Sequence, residues 1–149
     1  MELFAGMGGM RVALAESRLP ARVVAAYEVS PACEEAYLHN FPDARGHWRR
    51  KSIDRVSASE LDALGADVWL MSPPCQPYLS SGKHGKRRDV GDGRACALLH
   101  LVQLLPGLQR PPRRILLENV VGFELSESRR RLAQALAALG WEAAEAVLR

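Results

Sequence analysis

The sequence predicts a doubly wound, mostly parallel α/β sheet, and three observations carry that expectation. Short apolar runs alternate along the 149 residues with stretches that carry helix start and stop signals. Two of those runs, Arg22-Val-Val-Ala-Ala-Tyr-Glu28 and Asp67-Val-Trp-Leu-Met71, are continuously apolar, as strands buried on both faces are. The unusual residues also gather at the carboxyl ends of predicted strands: a glycine-rich turn after Phe4, then Glu28, Cys75 and Glu118. That is where parallel α/β sheets bind ligands.

Each element follows from local chemistry. Met1 to Phe4 reads as the end of a short strand entering the glycine turn, with a helix over about Gly9 to Ser17. Arg22 to Glu28 is the second strand. Ser30-Pro31 starts a helix that runs to about His39: the serine oxygen can accept from an orphan N–H, and proline has none to lose at the first helical position. Asn40-Phe-Pro-Asp43 is turn chemistry, and Ser57 or Ser59 caps a short helix containing Leu61 and Leu64. The strand from Asp67 to Met71 is stopped by Ser72-Pro73-Pro74. From Tyr78 to Gly93 the chain is glycine-rich, basic and aperiodic, a long loop of the sort that compact domains use for function or leave disordered. Helix returns over Ala95 to Leu108, strand over Arg114 to Glu118, and a helix capped by Ser126 runs to about Leu139 and stops at Gly140. Trp141 to Leu148 is expected as a last strand.

Composition narrows the classes. A chain of 149 residues with 48% apolar and 25% charged residues is expected to be one globular domain. No apolar run approaches the roughly 20 residues that span a bilayer, and Met1-Glu-Leu-Phe4 carries no leader pattern, so an intracellular protein of cytoplasm or nucleus is expected. Cys33, Cys75 and Cys96 are odd in number and widely spaced, which suits reduced thiols. His100 follows Cys96 without a second ligand pair, so no metal is expected. The net charge of +3 is small, but basic residues cluster at Arg49-Arg50-Lys51, at Lys83-His84-Gly85-Lys86-Arg87-Arg88 and at Arg129-Arg130-Arg131. The first two clusters fall in expected loops, where they either meet a phosphate backbone or face solvent.

The strand ends carry specific chemistry. Phe4-Ala-Gly-Met-Gly-Gly9 allows close backbone approach to a ligand, yet Arg11 stands where a G-x-G-x-x-G dinucleotide fingerprint needs glycine. An acid at Glu28, about twenty residues on, can accept from ribose hydroxyls. Together they indicate a nucleoside-bearing cofactor, or else a tight turn and a helix-start charge. Cys75, framed by Pro73-Pro74 and Pro77, is held on a rigid turn as a nucleophile would be, and Glu118 at the next strand end is its partner acid. Cys33 and Cys96 fall inside expected helices and read as packing residues.

At these residues the chain resembles the cytosine-5 methyltransferases. Phe4-Ala-Gly-Met-Gly-Gly9, Glu28, Pro73-Pro74-Cys75-Gln76 and Glu118-Asn119-Val120 are similar to that family's cofactor turn, ribose acid, nucleophile motif and base-binding motif, in the family's order. Met71 to Tyr78 and Leu116 to Glu124 look most like the branch that methylates transfer RNA despite its DNA-methyltransferase ancestry. The resemblance implies a Rossmann-like methyltransferase fold using S-adenosylmethionine and a nucleic-acid partner, tRNA favoured over DNA. Cys75 would add to carbon 6 of a flipped-out cytosine, Glu118 would hold N3 and the exocyclic amine, and carbon 5 would then take the methyl group.

The same resemblance assigns further residues. It places Phe4, Gly6, Met7, Gly8 and Gly9 around the methionine part of the cofactor, Glu28 at the ribose, and Ile53 with Asp54 at the adenine, although the last two also suit ordinary core and cap roles. Ser72 and Pro74 would lie between cofactor and base. Gln76 belongs to the nucleophile motif, Asn119 would chiefly brace its turn, and Arg94 would touch the substrate backbone or close the loop over it, while the charge of Lys83, Lys86, Arg87 and Arg88 itself predicts salt-sensitive nucleic-acid binding. Family members continue with a Gln-x-Arg-x-Arg segment, a target-recognition region and a returning C-terminal helix. None is found here, so residues 1–149 are expected to be the N-terminal part of a catalytic domain. A DNA cytosine-5 methyltransferase and an inactive cofactor-binding fragment are the alternatives.

Overall fold

The computed structural model describes residues 1–78 and 89–148. Their centre is a parallel sheet of five strands in the order β3-β2-β1-β4-β5, namely β1 (Glu2–Leu3), β2 (Ala26–Glu28), β3 (Trp48–Arg50), β4 (Val68–Met71) and β5 (Arg114–Leu117). The chain winds outward from β1 in one direction through β2 and β3, then crosses back to β4 and β5. This makes the β1/β4 junction the topological switch point, where crevices open beyond the strand ends. Helices α1 (Gly9–Glu16), α2 (Pro31–Asn40), α3 (Ala58–Leu64), α4 (Cys96–Leu104) and α5 (Glu127–Ala138) connect the strands.

Side chains alternate across the sheet, so each strand feeds two cores. Leu3, Tyr27, Trp69 and Met71 pack on one face with Leu61 of α3, Leu98 and Leu101 of α4 and Leu132 of α5. Ala26 and Trp48 pack on the other with Tyr37 of α2 and Ala44. The expected caps form: Ser30 accepts from the Cys33 N–H at 3.3 Å, Ser57 from Glu60 at 3.2 Å and Ser126 from Arg129 at 3.0 Å. The helix expected from Ala95 to Leu108 is regular only over α4, flanked by 3-10 turns at Gly93–Ala95 and Leu105–Gly107. Pro106 has no N–H to carry the ladder onward.

Three expectations need correction. The second strand begins at Ala26 rather than Arg22, because β1 offers it only two residues to pair with, Glu2 and Leu3. A strand hidden in the basic cluster Trp48-Arg49-Arg50 forms the sheet edge beside β2, where one buried Trp48 suffices and the arginines remain exposed. The strand expected over Trp141 to Leu148 does not form. The Trp141 N–H instead closes the end of α5 on the Leu136 carbonyl at 3.0 Å, and Glu145 returns to Arg129 of α5 at 2.7 Å. Three alanines in that segment also give a poor strand former little to pack.

Candidate functional site

Beyond β1, β4 and β5 lies a cavity of about 550 Å³, and its walls include Phe4, Glu28, Ser72, Pro74, Cys75 and Glu118. Gln76, Arg94 and Asn119 line the same space. A smaller cavity of about 190 Å³ adjoins it, sharing Phe4, Glu28, Pro74 and Arg94 and extending to Ile53 and Asp54. The nucleophile and acid motifs, 43 positions apart in sequence, thus meet in one cavity because β4 and β5 are neighbours paired in register, Met71 with Leu117.

Local bonding fixes the two strand ends against each other. The Glu118 N–H donates to the Met71 carbonyl at 2.9 Å, and the Asn119 side-chain amide donates to the Pro73 carbonyl at 3.0 Å. The Asn119 oxygen accepts from the Val120 N–H at 2.9 Å, so both ends of its amide are spent bracing backbone. After Cys75 the chain makes a 3-10 turn, closed by the Tyr78 N–H on the Cys75 carbonyl at 3.0 Å. Tyr78 is buried edge-on to Phe123 at 4.9 Å between centroids, anchoring the nucleophile turn to the segment before α5.

Glu28 acts as a clamp. Its carboxylate accepts the Gly6 N–H at 3.0 Å, Val29 N–H at 2.7 Å and Ser30 N–H at 3.0 Å, tying the glycine turn to the end of β2. Two carboxylate oxygens hold about four lone-pair positions, so this acid can still receive one more donor. Phe4 links the turn to both cavities at a φ of 61°. An aromatic residue rarely adopts that conformation outside sites where the surroundings enforce it. Gly6, Met7, Gly8 and Gly9 form the turn itself and are not among the described cavity walls.

Arg94 is the basic residue that lines both cavities. It is gripped in a fork by Asp92, with Nε to Oδ1 at 2.9 Å and Nη2 to Oδ2 at 2.6 Å. The hydrogen bond to Asp92 is the main reason the guanidinium is held more firmly in its charged form. Arg94 and Cys75 line the same cavity. Lys83, Lys86, Arg87 and Arg88, and most of the expected basic loop, lie outside the described residues.

Several features were not anticipated. Cys96 is the first residue of α4, exposed, and lines the smaller cavity, so it is not a packing residue. Tyr27 and Lys51 line that cavity too. Both are held by Glu60, the Tyr27 hydroxyl at 2.8 Å and the Lys51 ammonium at 2.5 Å. An acid three residues after the Ser57 cap could have signalled the helix, but not its reach to β2. Several arginines of the outer basic clusters are paired with acids. Arg129 meets Glu145, Arg130 and Arg131 meet Glu127, and Arg50 meets Glu34.

The arrangement fits a nucleoside-bearing cofactor on structural grounds. Two joined cavities flank a backbone-clamped acid. The N-terminus of α1, at the end of the glycine turn, has no side-chain cap and no acid in its first turn. Among the described residues no cluster of side chains suits a metal ion, and no helix is long and apolar enough to cross a membrane.

Comparison with known proteins agrees with this fold. Residues 1–149 match the family model described as C-5 cytosine-specific DNA methylase. The tRNA (cytosine(38)-C(5))-methyltransferase of Rattus norvegicus is 46% identical over 148 residues, covering 99% of this chain and 37% of that protein. The protein of the same name from Homo sapiens is 43% identical over 148 residues, with 99% and 37% covered. The crystal structure of S. pombe Dnmt2 methyltransferase matches with a TM-score of 0.79 at 32% identity, over 93% of this chain and 39% of that one. The chain spans a little over a third of the length of these curated relatives.

Proposed function

Because the chain belongs to the C-5 cytosine-specific DNA methylase family, we propose that it serves a tRNA (cytosine-5-)-methyltransferase, with Cys75 as nucleophile and Glu118 as the acid that holds the base. The observation that carries this reading is the meeting of Cys75 and Glu118 in one cavity with Arg94 beside them. The choice of tRNA rests on the names of the rat and human relatives. The family's own description keeps duplex DNA as a second reading, with the same chemistry.

The residues divide the work. The Cys75 thiolate adds to carbon 6 of cytosine, forming a carbon–sulfur bond and pushing an electron pair toward carbon 5. Glu118 holds the ring through N3 and the exocyclic amine, so the charge raised by the addition is met in place. Arg94 steadies negative charge as the nucleophile forms, and Asn119 keeps the two turns in register. S-adenosylmethionine, when bound, supplies the methyl group. Loss of the carbon-5 proton to a base then returns the electron pair that expels Cys75. Glu28, Ile53 and Asp54 would hold the nucleoside end of the cofactor, and the turn from Gly6 to Gly9 its methionine end. Burial of a flipped base in the larger cavity excludes water from these steps.

Transfer of labelled methyl groups from S-adenosylmethionine to tRNA and to duplex DNA tests the reading. Labelled tRNA is expected, with no labelling by Cys75→Ala and a loss of about a hundredfold or more in Glu118→Gln. Preferential labelling of DNA would select the second reading. Undiminished labelling by Cys75→Ala would refute both.

A further inference from the structure

Beneath the glycine turn lies a buried cluster that none of the catalytic steps uses. Glu2 of β1 and Tyr37 of α2 are both 0% exposed, and the Tyr37 hydroxyl donates to Glu2 Oε2. Arg11 of α1 donates to the same hydroxyl at 3.5 Å and to Asp43 at 2.5 Å, while its guanidinium lies 4.4 Å above the Phe41 ring. Tyr37 also packs at a tilt on Phe41 and Trp48, with centroids 5.0 and 4.7 Å away. Its ring is therefore pinned at the hydroxyl end and along its faces.

On this pinned ring sits Gly8. Its φ is 94°, and a Cβ added there would stand 2.3 Å from Phe41 Cε2 and 3.1 Å from Tyr37 Cδ2 and Cε2. The backbone of the turn is thus pressed onto the two rings, and Gly8 is also the residue from which α1 starts. Any change in the height or tilt of the Tyr37 ring must move Gly8, and with it the Met7 to Gly9 backbone. Met7, next to Gly8 in the turn, is 66% exposed, and Glu28 holds the other end of the turn at the Gly6 N–H, so the rings support it at Gly8.

We propose that Tyr37 is a positioning residue for the cofactor: held by Glu2 and Arg11, its ring joins Phe41 in setting where Gly8 lies, and so where the turn meets the methionine end of S-adenosylmethionine. This rests on the assignment of the turn to that end of the cofactor. The role is selective, because the adenosine end is met from elsewhere, by Glu28, Ile53 and Asp54.

Two ligands separate this role from general stability. S-adenosylhomocysteine carries the amino-acid end, whereas 5′-methylthioadenosine has the same nucleoside and a thioether without it. Calorimetric binding of both to the whole chain, as wild type, Tyr37→Phe and Phe41→Leu, reads the difference. Tyr37→Phe keeps the ring and removes only its tether, so S-adenosylhomocysteine should bind roughly fivefold more weakly, the order expected for one tethering hydrogen bond. Affinity for 5′-methylthioadenosine should stay within about twofold, since no adenosine contact is touched. Phe41→Leu should repeat the pattern, and in turnover the KM for S-adenosylmethionine should rise at unchanged kcat. Unchanged S-adenosylhomocysteine affinity in Tyr37→Phe would overturn the proposal, as would an equal loss for both ligands. Failure of the wild-type chain to bind either ligand would instead overturn the cofactor assignment beneath it.

Discussion

Glu2 is the residue whose chemistry is least at ease. It is a fully buried acid with one oxygen, Oε2, bonded to Tyr37 and the other, Oε1, without a hydrogen-bond partner among the described residues. Burial raises its pKa above 4.5, although Tyr37 and Arg11 pull the other way. The sign of the consequence follows from proton linkage. Between 4.5 and the raised folded value the unfolded chain has released its proton while the folded chain keeps it, so this acid erodes stability as pH rises. Glu2→Gln removes the titration and keeps the acceptor for Tyr37. Urea melts from pH 4 to 8 should show the variant gaining on wild type as pH rises, by about 1.4 kcal/mol for each unit by which the folded pKa exceeds the unfolded one. A difference independent of pH would show that folding leaves the Glu2 carboxyl pKa unshifted. Burial and the Arg11 charge lower the pKa of neighbouring His47, so its contribution runs in the opposite direction. It is present in both proteins and cancels in the comparison. None of this was readable beforehand, since Met1-Glu-Leu-Phe4 shows an acid in a strand but not what covers it.

At the scale of elements, much of the architecture was legible because capping is local. Ser30, Ser57 and Ser126 each bond the N–H three residues on, which their own neighbours determine. The misses are elements decided by distant partners: β3 exists because β2 presents an open edge, and residues 141–148 follow α5 because Glu145 and Trp141 bond back to it. The end of α3 shows a second distant dependence. Gly65 closes this helix at a φ of 52°, and a Cβ there would lie 2.3 Å from the Arg110 guanidinium. Arg110 in turn is fixed by its N–H to the Asp62 carboxylate at 2.7 Å. The guanidinium can shift at small cost, but the left-handed backbone cannot be relieved, so Gly65→Ala should destabilise by about 1–2 kcal/mol. A thermal melt should therefore move down by about 2–8 °C for a chain of this size. No shift would mean that the turn after α3 changes conformation freely. As for the site, Cys75 and Glu118 were legible because both mark strand ends. Lys51, Tyr27 and Cys96 were not, because only folding brings them to the smaller cavity.

Across the whole molecule, sheet order explains why one end carries the chemistry. Reversal of winding between β1 and β4 opens the crevice, and each strand around it contributes a part: Phe4 after β1, Glu28 from β2, Cys75 after β4 and Glu118 after β5. Elsewhere on the described surface, Arg50, Arg129, Arg130 and Arg131 pair with nearby acids. Exposed pairs such as those of Glu127 with Arg130 and Arg131 are screened by solvent and too weak to hold the fold, which rests on the two cores. Arg94 differs because its pair with Asp92 presents the charge to the cavity instead of burying it in the surface lattice. The central claim is that this end of the sheet forms a covalent bond to cytosine. Incubating the chain with S-adenosylmethionine and tRNA bearing 5-fluorocytosine tests it directly, because fluorine at carbon 5 leaves no proton to remove and the thioether cannot be released. A denaturation-resistant protein–RNA adduct that is absent in Cys75→Ala is the predicted result; no adduct, or one that survives Cys75→Ala, would contradict the account.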